Sequence, residues 1–246
     1  MLTLVEPTPR FRNNATSASL EQTARDLRLH RSYRKTYDFP RDYIDGYHRW
    51  LGTTAPLDPE LHILRIGIEG WLFRPDALKL YELAYFGRDI LELGTYKGLS
   101  TSVMSQALFN SGEPGMIYTV DLDEDFMLTA REGMKERGTQ GRENVFFAAM
   151  DAGEFLRRQV RADRKFRFVF VDHSHEYEPM IEACGMLAQV TEPGAFVLFH
   201  DYNDPRNADP AVKEYGVYQA VADGLPSDEF EPWGMFGCTG LFKRRG

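Results

Sequence analysis

From residue 70 onward, short apolar runs alternate with helix-length amphipathic segments. The runs are Ile90–Leu93, Ile117–Val120, Val145–Ala148, Phe168–Val171 and Ala195–Phe199. They are short and nearly unbroken, as strands covered on both faces of a parallel sheet must be. Helices are predicted at about Pro75–Tyr85, where Leu78, Leu80, Leu83 and Ala84 give a buried side, and at Ser100–Leu108, where Val103, Met104 and Leu108 do so. Further helices are predicted at Glu124–Arg137, Gly153–Gln159, Pro179–Val190, with Pro at the start, and Val212–Asp223. A Pro193-Gly194 turn leads into the fifth run. The tail from Phe230 to Lys243 reads as two strand-like pieces around glycines, a hairpin for a sheet edge. This alternation predicts an α/β chain with an open, doubly wound, mostly parallel seven-stranded sheet and an antiparallel C-terminal hairpin.

The first 65 residues break the rhythm. Residues 1–16 are rich in Pro, Arg, Asn and Thr and read as an extended arm. Ser19 and Gln22 have capping-box spacing for a helix to about Tyr33, apolar at Leu20, Ala24 and Leu27 and basic at Arg25, Arg28 and Arg31. Such a basic side is a solvated helix face, a dimer arm or a lid over an anionic substrate. Residues 36–60 carry Tyr37, Phe39, Tyr43, Tyr47 and Trp50, too aromatic for a linker. The expected division is an N-terminal arm, lid or oligomerisation segment over 1–65 and one ligand-binding domain over 66–246.

Composition narrows the classes. The 246 residues carry a net charge of −8, which disfavours a general nucleic-acid surface; a small-molecule substrate is expected instead. The two cysteines, Cys184 and Cys238, lie far apart and read as reduced thiols. With no signal core and no long apolar run, a cytoplasmic protein without a membrane segment is expected, and the aromatic arm suggests a homo-oligomer, a dimer or larger.

The chemistry gathers at the carboxyl ends of the strands, where open α/β sheets bind ligands. The first run passes through Gly94 and Gly98 into a helix N-terminus, whose free backbone N–H groups suit a ligand. Glu92 beside that turn would repel phosphate and favours a cation or hydroxyls. Asp121 ends the second run, placed to accept ribose hydroxyls or to cap a helix, with Asp123 as the alternative ribose partner. Asp151 follows the third run and either meets an adenine amino group or caps the next helix. Asp172 ends the fourth, followed by His173 and His175, and the fifth ends in His200 and Asp201. Acidic groups in register on one edge repel unless something binds them. Asp172 and Asp201 can converge on Mg²⁺, Mn²⁺ or Ca²⁺, His200 softening the site toward Mn²⁺ or Fe²⁺, while His175 has the ordinary pKa of a general base near neutrality.

Ile90-Leu-Glu-Leu-Gly-Thr-Tyr-Lys-Gly-Leu-Ser-Thr resembles the first motif of class I S-adenosylmethionine-dependent methyltransferases, which are Rossmann-like. Ile68-Glu-Gly-Trp-Leu, Phe170-Val-Asp-His-Ser-His-Glu-Tyr-Glu and Phe199-His-Asp-Tyr narrow the resemblance to small-molecule O-methyltransferases related to macrolide-sugar enzymes and to cephalosporin hydroxylase. The resemblance spans about residues 66–245. It implies that Glu92, Gly94 and Tyr96 hold the methionine end of S-adenosylmethionine and that Thr95, Ser100 and Asp172 also bind this cofactor. It gives Asp121 to the ribose and Asp151 to the adenine, sets Asp172, His200 and Asp201 around a divalent cation, and makes His175, with Asp172, catalytic. The chain departs from the pattern at His173, where relatives often carry Gly, at Ser174, and at His200. The implied activity is O-methylation of a sugar-like or phenolic hydroxyl, in natural-product biosynthesis among other settings. The rival readings are a metal-dependent hydrolase, which would need three or more ligands on one ion, and an NAD-binding oxidoreductase, which would need the Gly-x-Gly-x-x-Gly fingerprint that Gly94-x-x-x-Gly98 lacks. A serine hydrolase is disfavoured because Gly98-Leu-Ser misses the nucleophile elbow, and a non-catalytic binding protein on the same fold is the fourth.

Overall fold

The structure, a computed structural model, describes residues 42–209 and 211–246. The expected arm and helix within residues 1–41 lie outside the described residues. Strands β1 (Asp89–Leu93), β2 (Met116–Asp121), β3 (Val145–Ala149), β4 (Phe166–Val171), β5 (Thr191–Phe199), β6 (Phe230–Phe236) and β7 (Thr239–Arg244) form one sheet in the order β3-β2-β1-β4-β5-β7-β6. β1 to β5 are parallel; β7 runs antiparallel to β5 and to β6, so the tail is the edge hairpin that the sequence predicts.

Alternation along the strands builds two cores. Val169 and Val171 of β4 join Leu91, Leu93, Val197 and Phe199 on one face, while Phe168 and Phe170 join Ile90 and Leu198 on the other. Helices α5 (Ala152–Arg161), α6 (Tyr177–Val190) and α7 (Val217–Gly224) cover the first face. Helices α1 (Gly46–Thr53), α2 (Arg74–Phe86) and α3 (Leu99–Ser111) cover the second, with Met134 of α4 (Glu124–Glu136). Burying each of these large apolar side chains contributes about 1.5–3 kcal/mol, enough to fix strand register against a one-residue slip.

Helix ends follow local chemistry. α4 starts at Asp123, whose carboxylate accepts the N–H groups of Asp125 and Phe126, and it buries Met127, Ala130 and Met134 at helical spacing. α5 starts at Asp151, which accepts the N–H of Glu154. Three boundaries differ from expectation. α6 begins at Tyr177, two residues early, because Pro179 is tolerated anywhere in a first turn that lacks intrahelical N–H partners. β5 begins at Thr191, so Pro193-Gly194 lies in an irregularity of the strand rather than before it: Phe166 pairs with Thr191 but Phe168 with Phe196. α7 begins at Val217 instead of Val212, since Gly216 donates its N–H to the carbonyl of His175, 2.7 Å away, and holds the preceding segment out of the helix.

The aromatic segment before residue 65 packs on α2. Tyr47 and His48 both stack on Tyr81, at 5.5 and 5.3 Å, and Leu51 is buried in the second core. None of these side chains lines the cleft at the strand ends, so this aromatic cluster buttresses α2.

Candidate active site

The carboxyl ends of β1, β2, β4 and β5 open into a cleft of about 650 Å³ lined by Glu69, Trp71, Tyr96, Asp121, Phe126, Asp172, His173, His175, His200, Asp201, Arg206 and Tyr215, among others. A second cavity of about 230 Å³ lies between β2 and α5; it shares Asp121 and His173 with the cleft and is bounded also by Gly94, Leu122 and Asp151. A larger groove of about 750 Å³ runs along the β3 edge beside α4. Its charged side chains, Arg131, Glu132, Lys135, Arg142 and Glu143, mix both signs without converging on a point, and none of the strand-end groups reaches it.

The loop after β1 is held from both sides. Gly94 has φ of +99°, and a Cβ there would lie 2.1 Å from the carbonyl oxygen of Asp172. The missing side chain therefore lets the β1 and β4 loops close on each other, while Gly94 still borders the smaller cavity. Asp121 accepts the N–H groups of Thr95 (3.0 Å) and Tyr96 (2.7 Å) on Oδ2 and of Asp123 (3.0 Å) on Oδ1. It anchors the loop from the neighbouring strand and is not the helix cap; Asp123 is. Tyr96 is a non-glycine residue at φ +44°, and its phenol donates to Glu69 Oε1 at 2.9 Å while Lys97 pairs with the other oxygen at 2.7 Å.

Glu92, Thr95 and Ser100 sit elsewhere than the resemblance implies. Glu92 is fully buried and accepts hydrogen bonds from Ser100 (2.5 Å), Thr101 (2.5 Å) and Thr119 (2.7 Å). The Thr95 hydroxyl lies 2.6 Å from that of Thr119. Their side chains form a polar plug beneath the loop, with no face left for a ligand. The reason is the pleat: Leu91 and Leu93 face the first core, so Glu92 must face α3, where only hydroxyl donors are offered. Burial raises Glu92 to about 7, partly offset by its three hydroxyl donors.

Asp172, His175, His200 and Asp201 come together as expected. His175 Nε2 lies 2.9 Å from Asp201 Oδ2 and 3.7 Å from Asp172 Oδ1. His200 Nδ1 is 3.1 Å from Asp172 Oδ1 and 3.5 Å from Asp201 Oδ1, but off the line of a hydrogen bond. Ligand atoms of Asp172, His175 and His200 all fall within 4.8 Å of one another, a spacing one cation could bridge. His175 thus lies among the candidate ligands rather than beyond them. Burial alone would lower both imidazoles, but the two carboxylates outweigh it, lifting His175 to about 9 and His200 well above its ordinary value. Burial would raise the carboxylates, and the facing histidines instead hold Asp172 and Asp201 below the usual range.

His173 is the exception in this cluster. Burial pushes its imidazole down to about 4, and its Nε2 is shielded from solvent with no hydrogen-bond partner. Asp151 is mostly exposed, with Oδ1 spent on the α5 cap, and it borders the smaller cavity, so the capping and ligand readings are both compatible with its position.

Sequence reasoning missed several wall residues. Tyr215 stacks on His175 with ring centroids 4.7 Å apart and planes at 8°, and the Arg206 guanidinium lies 3.8 Å from the other side of that ring. Gly216, a helix breaker inside the expected Val212–Asp223 helix, is the signal that could have freed Tyr215. Behind His200, Cys238 Sγ approaches Nε2 to 3.3 Å, and the fully buried Asp76 accepts the Cys238 N–H at 3.0 Å. Nothing local in the sequence links these three, which come from α2, β5 and the β6–β7 turn.

Residues 91–202 match the methyltransferase-domain family Methyltransf_24. Among solved structures, the O-methyltransferase TomG from Streptomyces achromogenes, involved in tomaymycin synthesis and in complex with S-adenosylmethionine, is 20% identical, with 80% of this chain and 95% of that one covered at a TM-score of 0.57. The O-methyltransferase from Bacillus cereus in complex with S-adenosylhomocysteine is 15% identical, with 91% and 90% covered at a TM-score of 0.52. No curated protein matches the chain. No helix among the described residues is long and apolar enough to cross a membrane. The family match runs from β1 to just past β5, the strands that deliver Asp121, Asp172, His200 and Asp201 to the cleft, and the sheet around it has the Rossmann-like fold of the methyltransferase structures it resembles.

Proposed function

We propose that the enzyme methylates a hydroxyl of a small molecule, sugar-like or phenolic, with help from a divalent cation. The observation that carries this reading is the convergence of Asp172, Asp201, His175 and His200 at one end of the 650 Å³ cleft. The donor set fits both groups. Asp121, Asp151 and Asp172, an orphaned imidazole nitrogen and a fixed loop border the two adjoining cavities, a lining that suits an adenosyl ligand. Asp172, His175 and His200 offer ligand atoms within 4.8 Å of one another, with Asp201 beside both imidazoles, a set that suits Mg²⁺ or Mn²⁺.

Bound there, the cofactor supplies an activated methyl group and the cation lowers the pKa of an acceptor hydroxyl. The chain's own part is placement. Asp121, with Asp123 beside it, would hold the ribose and Asp151 the adenine, while Tyr96 and Phe126 line the cleft next to Asp121. Trp71, half-exposed at the mouth, gives the acceptor a flat apolar surface. Asp172 and Asp201 would hold the cation, and Nε2 of His175, 2.9 Å from Asp201 Oδ2, would take the proton that the acceptor hydroxyl loses once the cation's charge offsets the carboxylates that raise its pKa. Tyr215 keeps that imidazole planar against the cleft wall. Alignment of this kind supplies most of the rate in an in-line displacement.

The test is methyl transfer from radiolabelled S-adenosylmethionine to a panel of sugar and phenolic acceptors, with Mg²⁺, Mn²⁺ or EDTA. Product whose label resists base as an ether does, formed only with metal and lost in Asp172→Ala and Asp201→Ala, is expected. Label on nitrogen or carbon, or full activity in EDTA, sinks the reading.

A further inference from the structure

His173 occupies the wall between the two cavities. It lines the large cleft together with Asp172 and Asp121, and the small cavity together with Asp121, Asp151 and Gly94. Its backbone packs closely on the β1 loop, its Cα 2.8 Å from where a Cβ of Gly94 would stand. Its Nε2 is shielded from water and meets no hydrogen-bond partner among the described residues. A buried polar nitrogen left unpaired costs free energy, and native structures rarely keep one without a reason. The other nearby polar groups are spoken for: Asp121 binds the β1 loop, Asp151 caps α5, and Asp172 faces His200.

We propose that His173 is a cofactor-binding residue whose Nε2 hydrogen-bonds the adenosyl half of S-adenosylmethionine, at the ribose. The place decides the half. The small cavity leads to Asp151 and Leu122 at the adenine end, the large one to Asp172 and His175 at the reacting end, and the ribose is what joins the two. An imidazole nitrogen can donate to a ribose oxygen or accept from a ribose hydroxyl, so either tautomer satisfies it. This rests on the methyltransferase reading of the cavities and adds a contact that neither the loop motif nor the carboxylates supply.

The test is calorimetric titration of S-adenosylhomocysteine and of adenosine into the unaltered protein, His173→Phe and His173→Gln, with thermal unfolding of each. His173→Phe should weaken both ligands by the same factor, about 10-fold, the range of one lost hydrogen bond. His173→Gln, which keeps a donor and an acceptor, should stay within about threefold of the unaltered protein. If His173→Phe lowers the unfolding temperature yet binds both ligands normally, the residue is structural and the proposal is overturned. Weakening of S-adenosylhomocysteine but not adenosine places the contact on the amino-acid half and overturns it too. Should the phenylalanine variant not fold, nitrogen NMR of histidine-labelled unaltered protein decides, with the His173 signals assigned from the glutamine variant: saturating S-adenosylhomocysteine must move the Nε2 resonance, and an unmoved resonance overturns the proposal. If the unaltered protein binds neither ligand, the cofactor reading itself falls and this contact with it.

Discussion

Replacing Glu92 by Gln probes the plug beneath the cofactor loop. Glu92 is fully buried, and burial lifts it from 4.5, the ordinary glutamate value, to about 7 despite three hydroxyl donors. Its folded pKa lies above its unfolded one, so between those values the folded state holds more protons. Linkage then makes stability fall as pH rises through that window. The full contribution is present below pH 4.5 and gone above about pH 7. A 2.5-unit gap (7 minus 4.5) at 1.36 kcal/mol per unit is about 3 kcal/mol. Glutamine does not titrate, and it keeps a carbonyl acceptor. Its amide N–H groups can be met if a hydroxyl, Ser100 or Thr101, rotates to accept, since hydroxyls do both. The variant should therefore be somewhat less stable than the unaltered protein at pH 4.5 and should overtake it by pH 8. Urea unfolding from pH 4.5 to 8 measures this directly. The difference in unfolding free energy between the two proteins should change by about 3 kcal/mol across the range and be flat above pH 8. Because Asp76 and the histidines titrate in both proteins, the subtraction removes them. A difference that does not vary with pH would refute the reasoning, as it would mean that Glu92 ionises normally beneath the loop.

Gly94→Ala should cost more than 3 kcal/mol or prevent folding, because its Cβ would meet the Asp172 carbonyl at 2.1 Å in a left-handed backbone, and a fall in thermal midpoint of a few degrees or less would contradict the packing. Asp121→Ala frees the N–H groups of Thr95, Tyr96 and Asp123, so S-adenosylhomocysteine binding should fall at least 10-fold, with the loss read by calorimetry and part of it recovered in Asp121→Asn. Mn²⁺ binding, followed by the paramagnetic relaxation of water, should disappear in Asp201→Ala and persist in Cys238→Ser, whose thiol lies on the far side of His200; equal retention in both would move the cation away from the strand ends.

The fold was legible because it rests on period. Apolar runs of strand length, spaced by helices, dictate a parallel sheet, and Phe168, Val169, Phe170 and Val171 show why four consecutive apolar residues are needed: they alternate into two different cores. The strand-end groups were legible for the same reason, since a parallel strand delivers its last residue to one edge whatever the packing. What failed was the inference from motif to contact. Glu92 and Ser100 belong to a ligand-binding signature, yet the pleat turns the Glu92 carboxylate toward α3 and the Ser100 hydroxyl is spent on it. Their role is to hold the loop and not to touch what the loop holds. Asp121 is half of each kind, anchored to three N–H groups while its carboxylate still borders both cavities.

The residues that no pattern revealed share one property: their meaning depends on what lies across the cleft. Tyr215 matters because Gly216 holds it out of a helix and against His175; in a helix begun at Val212 it would be one more aromatic. Asp76 matters because β7 returns beside β5 and brings Cys238 against His200, a contact between residues 162 positions apart in the chain for the Asp76–Cys238 pair. The active site is therefore built in two layers with different informational origins. The layer that faces the ligand comes from strand ends and is fixed by topology. The layer behind it comes from α2, the β5–α7 connection and the hairpin, and it is fixed by packing alone. A substitution in the first layer should change binding with little loss of stability. One in the second should change stability first and reach chemistry only through the histidine it supports, so comparing Asp201→Ala with Asp76→Ala in unfolding and in cation binding separates the two layers.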